Sequence, residues 1–154
     1  MRGLGVGFML LFVGACGDVS ETEVDSEAGS GLGPSPLAGA QGLLQAGDFE
    51  GAEAEFREVT EASPDNAQAW AMLGLAVHSQ ERWEEALDLH LKAAEFSATA
   101  AVGHFRAGLA QLRLDRLDEA FDSWGRAKET GGYDVTQLGL NPAADSLRDD
   151  PRYI

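Results

Sequence analysis

A period of 34 residues constrains this chain more than any other feature. The hexapeptide GDFEGA (Gly47–Ala52) returns as ERWEEA (Glu81–Ala86) and again as DRLDEA (Asp115–Ala120), each with a bulky apolar residue third, an acid fourth and alanine sixth. The recurrence extends in both directions. Phe56, His90 and Trp124 share one register, Val59, Ala93 and Ala127 a second, and Ala40, Gly74 and Gly108 a third. Two apolar stripes at helical spacing, separated by a short break, predict a helix–turn–helix hairpin in every copy. A single hairpin cannot cover its own apolar face, so hairpins stabilise one another by stacking.

The expected helices are Leu37–Ala46, Phe49–Ala62, Ala67–Gln80, Trp83–Phe96, Ala101–Leu114 and Leu117–Thr130, with Gly131-Gly132 closing the last. Small residues at Gly74, Ala86, Gly108 and Ala120 let paired helices approach, and each large apolar side chain buried between them contributes about 1.5 to 3 kcal/mol. After residue 132, Asn141-Pro142 reads as a helix N-cap followed by proline in the first turn. Leu140, Leu147 and Tyr153 are expected to pack back on the last hairpin.

The first 36 residues are of another kind. Arg2 is followed by an apolar run from Leu4 to Val13, too short to cross a bilayer and laid out like a secretory signal. Val13-Gly14-Ala15-Cys16 resembles the lipobox of bacterial lipoproteins. The resemblance implies cleavage before Cys16, the only cysteine in the chain, and a diacylglyceryl group on its sulfur. Ordinary signal cleavage with a free thiol, and an uncleaved anchor, are the alternatives. Two or more acyl chains hold a protein stably to a membrane. Gly17–Pro36 then contains five acids, no base and a Gly/Ser/Pro cluster, the composition of a flexible tether with a mean span of roughly 25 Å.

The repeat pattern itself closely resembles the tetratricopeptide repeat (TPR). The copy that fits best carries Trp70, Leu73-Gly74, Ala86 and Ala93, with Pro64 closing the copy before it. Pro36, Val59, His90 and Ala98 depart from the family pattern. The resemblance implies an all-α fold, a right-handed α-solenoid of three TPR hairpins plus a C-terminal capping segment. The expected divisions are a signal peptide at 1–15, a tether at 16–36, repeats at 37–66, 67–100 and 101–132, and a cap at 133–154. The closing stretch Ser146–Ile154 is similar to the tail of many bacterial proteins of this class, where its role is structural; a binding role for Arg148 and Arg152 is the lesser reading.

Chemistry is harder to find. No stretch supplies a phosphate loop, a nucleophile elbow or paired zinc ligands, and His78, His90 and His104 lack a metal-binding spacing. By repeat position His90 and His104 read as packed neutral rings on adjoining helices, near enough to approach each other. The net charge of -15 repels nucleic acid and anionic lipid surfaces. No enzyme activity, cofactor, metal, nucleic acid or small-molecule substrate is therefore expected.

What the family resemblance does imply is a concave groove lined by the first helix of each hairpin. In this chain it would include Gln68, Ala71, Leu75, His78, Phe105, Leu109, Leu112 and Arg113. Phe105, Leu109 and Leu112 either form an apolar docking patch there or are covered by the capping segment. The clamp with which some family members hold the acidic C-termini of heat-shock chaperones would need more than its arginine, and Arg106 alone matches. The expected function is a lipid-anchored module of the bacterial cell envelope, on the periplasmic side or the outer membrane, that binds a peptide or helix of another protein. The alternative is a permanent structural subunit of an envelope, pilus or secretion assembly.

Overall fold

The computed structural model describes residues 35–131, 133, 138, 142–147 and 149–152. These lie in the compact unit Leu32–Ile154. Cys16, the signal segment 1–15 and nearly all of the tether fall outside the described residues, as do Leu140, Asn141, Arg148 and Tyr153. Six α-helices and no strand are present among the described residues: α1 (Pro36–Ala46), α2 (Phe49–Ala62), α3 (Ala67–Ser79), α4 (Trp83–Ala94), α5 (Ala100–Arg113) and α6 (Leu117–Gly131). A short 3-10 turn, Pro142–Leu147, follows. Each helix packs on the next, and α1 also meets α3 as α3 meets α5, so the hairpins succeed one another in chain order.

Local chemistry starts these helices. The side chains of Ser35, Asp48 and Asn66 accept hydrogen bonds from the backbone N–H groups of Ala38, Gly51 and Ala69, at 3.2, 3.0 and 3.0 Å. Each satisfies a donor that the first helical turn leaves unpaired. Helix α4 ends at Ala94, two residues short of the expected Phe96. There the Glu95 N–H bonds back to the Lys92 carbonyl at 3.2 Å, which tightens the last turn and diverts the chain toward α5.

Large residues from the second helices fill the core against small ones from the first. Phe56, His90 and Trp124 are almost wholly buried, and Ala40, Gly74 and Gly108 lie in the matching register. A β-carbon added to Gly108 would stand 2.2 Å from Nε1 of Trp124, and one added to Gly74 would stand 2.6 Å from Nδ1 of His90. Only hydrogen fits between these pairs. The Trp124 indole N–H, carried deep by this approach, donates to the Phe105 carbonyl at 3.1 Å.

An ion-pair network ties the first hairpin to the second. The carboxylate of Glu53, only 12% exposed, accepts from Arg57 at 2.8 Å and from Arg82 at 2.6 Å. Gln80 donates to the same group at 2.7 Å. Burial pushes the Glu53 carboxyl up, yet the hydrogen bonds from Gln80, Arg57 and Arg82 together outweigh it and hold the group below its ordinary value. Glu85 completes the network by pairing with both arginines.

Beyond α6, the C-terminal segment packs on the last hairpin. Leu138, Ala144 and Leu147 form a cluster with Ala120 and Trp124, and Phe105, Leu109, Leu112, Leu117 and Phe121 pack against it. Arg152 pairs with Asp118 at 2.8 Å and stands over the Phe121 ring at 4.2 Å, fastening the tail to α6.

Candidate functional site

Charge is partitioned between the two helices of every hairpin. Helices α1 and α3 contain no acid, lysine or arginine, and α5 contains two arginines and no acid. Helices α2, α4 and α6 carry five, three and four acids in turn. Because α1 meets α3 and α3 meets α5, the first helices lie side by side as a run that carries no acid of its own on a strongly acidic protein, although the Glu55 carboxylate of α2 comes within 3.0 Å of where a β-carbon on Gly39 would stand.

The two arginines of α5 mark the polar part of that face. Arg106 reaches across to α3, where Nη1 donates to the Ala71 carbonyl at 3.2 Å. It makes no ion pair among the described residues, and burial lowers its affinity for a proton. Seven residues later, about two helical turns or ~10 Å along the axis, Arg113 lies over the Trp83 ring at 5.4 Å and likewise pairs with no carboxylate. His78 sits between these elements. Its ring meets Trp83 edge-on at 4.9 Å and His90 at 5.5 Å. Burial, then the charges of Arg106 and Arg113, lower its pKa and favour the neutral ring.

The groove residues expected from the sequence are distributed unevenly. Gln68 is exposed, Leu75 and His78 are half-buried, and Arg113 is exposed. The side chain of Ala71 is buried at 3% exposure and offers a ligand nothing, whereas its carbonyl is already engaged by Arg106. Phe105, Leu109 and Leu112 are half-buried against the cluster that includes Leu138, Ala144 and Leu147. Phe105 also meets Tyr133, with ring centroids 4.8 Å apart. Of the two readings open for these three side chains, cover by the C-terminal segment is the arrangement in the structure. The ring that His90 meets belongs to His78, where the repeat register alone had suggested His104.

One member of the site escapes the sequence reading. Trp83 begins α4 and would count as a second-helix residue, yet it packs on His78 and Arg113. Arg106, visible in the sequence as the one match to the chaperone-tail clamp, shares α5 with Arg113 and with no acid. The group holds two guanidinium ions, about two helical turns apart, that pair with no carboxylate among the described residues. Among the described residues no trio of His, Cys, Asp or Glu side chains is placed to hold a metal.

A family model described as Tetratricopeptide repeat matches residues 37–101, the span from α1 to the start of α5. Repeats of this family generally mediate protein–protein interaction on a scaffold that is typically non-catalytic. No curated protein gives a significant match to the chain.

Proposed function

We propose that this chain, whose residues 37–101 carry tetratricopeptide repeats, is a non-catalytic module that holds an acidic segment of a partner protein on the face of α1, α3 and α5. The observation that carries this reading is the run of acid-free first helices, with Arg106 and Arg113 both lacking a carboxylate partner among the described residues. A partly desolvated guanidinium without a counter-ion is costly to keep, and a partner's carboxylate offsets that cost. Two guanidinium groups about two turns apart suit acids separated by a similar distance on a bound helix, or a few residues apart on an extended strand. The anchoring half of the proposal places a lipid on Cys16 and the module at the surface of a bacterial envelope membrane.

A reversible module is favoured over a permanent subunit by the surface of the hairpins. Among the described residues Leu91, at 38%, is the exposed large apolar side chain. Obligate interfaces resemble a core cut in half and require far more apolar surface than this.

Crosslinking in the native cell, followed by identification of the partner, tests the first half. Arg113→Glu should abolish capture while circular dichroism and the melting temperature stay unchanged; undiminished capture by that variant would overturn the assignment of the face. For the anchor, growth in labelled palmitate should mark the wild type and leave Cys16→Ser unlabelled.

A further inference from the structure

At the start of the first hairpin lies a cavity of about 510 Å³, lined by Ser35, Pro36 and Leu37 from α1 and by Glu58, Val59, Ala62, Ser63 and Asn66 from α2 and the turn after it. Its origin is legible in the repeat. Thirty-four residues on, Pro36 becomes Trp70 and Ala62 becomes Phe96, so the first copy lacks both aromatic side chains that the second provides. The change also reverses a charge. In the second copy Lys92 stands over the Phe96 ring, 6.0 Å from its centre. Lys92 corresponds to Glu58, and the third copy has Arg126 there. The third copy keeps the cation but has Thr130 in place of the ring, so the cation–ring pair belongs to the second copy, and the first has an acid beside an open pocket.

The geometry points to a second binding site, distinct from the arginine-bearing face: this cavity receives an aromatic side chain of a partner segment in which a lysine or arginine flanks the ring. Charge complementarity selects that occupant. Glu58 lines the cavity, and Glu61 and Asp65 flank its Ala62–Asn66 wall in the chain, all three exposed and none in an ion pair among the described residues. The volume suits a single ring with part of its backbone, within the range of ordinary ligand pockets. An incoming aromatic with its neighbouring cation would restore the pairing that Phe96 and Lys92 make one repeat later.

Calorimetric titration of the full chain with the tripeptide Ac-Lys-Trp-Lys-NH2 tests the site. One equivalent is expected to bind, with Ac-Lys-Ala-Lys-NH2 and Ac-Glu-Trp-Glu-NH2 each weaker. Ala62→Phe, which installs the aromatic of the second copy, should cut affinity at least about tenfold while raising or preserving the melting temperature. Glu58→Lys, on the exposed side of α2, should cut it at least about threefold and leave the fold intact. Arg113→Glu should leave this binding unchanged, which separates the site from the face proposed above. No binding by the wild type, equal binding of the alanine tripeptide, or full affinity in a folded Ala62→Phe protein would each overturn the proposal. Should Ala62→Phe fail to fold, undiminished affinity in Glu58→Lys would overturn it alone.

Discussion

Glu81 and Asp115, 34 residues apart, share a left-handed backbone conformation, with φ of 61° and 58°. Gly47 occupies the same register one copy earlier and has φ of 82°. These three residues open the recurring hexapeptides. The turn inside every hairpin thus needs one left-handed residue, and only the first copy supplies glycine for it. A β-carbon in this region costs roughly 1 to 2 kcal/mol, less for aspartate, whose short side chain tolerates it better.

Replacing Glu81 with glycine should therefore stabilise the protein, by about 0.5 to 1 kcal/mol after the added freedom of the unfolded chain is subtracted. Asp115→Gly should gain less. Urea melts of the two variants check both the sign and the order.

The opposite result is expected where the helices cross. Gly108→Ala drives a methyl group into the Trp124 indole and threatens its hydrogen bond to Phe105. Overpacking of this kind costs about 1 to 3 kcal/mol. Gly125, in the same hairpin, has nothing within 4 Å of an added β-carbon. Gly125→Ala should stabilise by up to ~1 kcal/mol through helix propensity, and thermal melts of the pair provide an internal control.

Stability should decline with acid through His90. The ring is fully buried, neither nitrogen has a hydrogen-bond partner among the described residues, and burial, with Arg106 and His78 adding to it, pushes its pKa down to about 3. An unfolded histidine titrates near ~6.5, so the unfolded chain binds the proton first. The contribution is fully present above that pH and declines by up to about 1.4 kcal/mol per unit as pH falls toward the folded value. His90→Phe, which restores the residue type of Phe56, should flatten the dependence of melting temperature on pH between 6.5 and 4. An unaltered slope in that variant would show that another group carries the effect.

Below that range Glu53 adds a second acid-sensitive contribution. Its pKa is depressed, so its share of stability is present above the unfolded carboxyl value and is lost as pH falls through the folded one. Glu53→Ala should cost about 1 to 3 kcal/mol at neutral pH, since it removes the acceptor that Arg57, Gln80 and Arg82 share between hairpins. A double-mutant cycle with Arg82→Ala should show coupling, and additive losses would mean that the arginine is held by Glu85 instead.

Helix positions were largely readable from the chain because they rest on local physics. Periodic apolar residues, the capping side chains of Asp48 and Asn66, and glycine at Gly47 act within a few residues of where they stand. The end of α4 leaves little trace in composition, because the tightened turn there and the turn of Ser97–Thr99 that follows contain no glycine or proline.

The candidate sites were less visible, and for one reason. Arg106 matters because it lies against the Ala71 carbonyl, Trp83 because it meets both His78 and Arg113, and the first-hairpin cavity because residues of α1 and of the end of α2 line it together. Each is a juxtaposition across helices, which no single stretch encodes.

By itself the sequence determined that this protein is a succession of 34-residue helical hairpins, since a period and its apolar stripes leave no other way to bury the same side chains repeatedly. Only the tertiary structure decided which face stayed open. Packing of Leu138, Ala144 and Leu147 near Phe105, Leu109 and Leu112 half-buried the apolar patch, and the stack left Arg106 and Arg113 without a carboxylate partner among the described residues. Burial and charge pairing are properties of surfaces brought together, and those surfaces exist only once the hairpins have stacked.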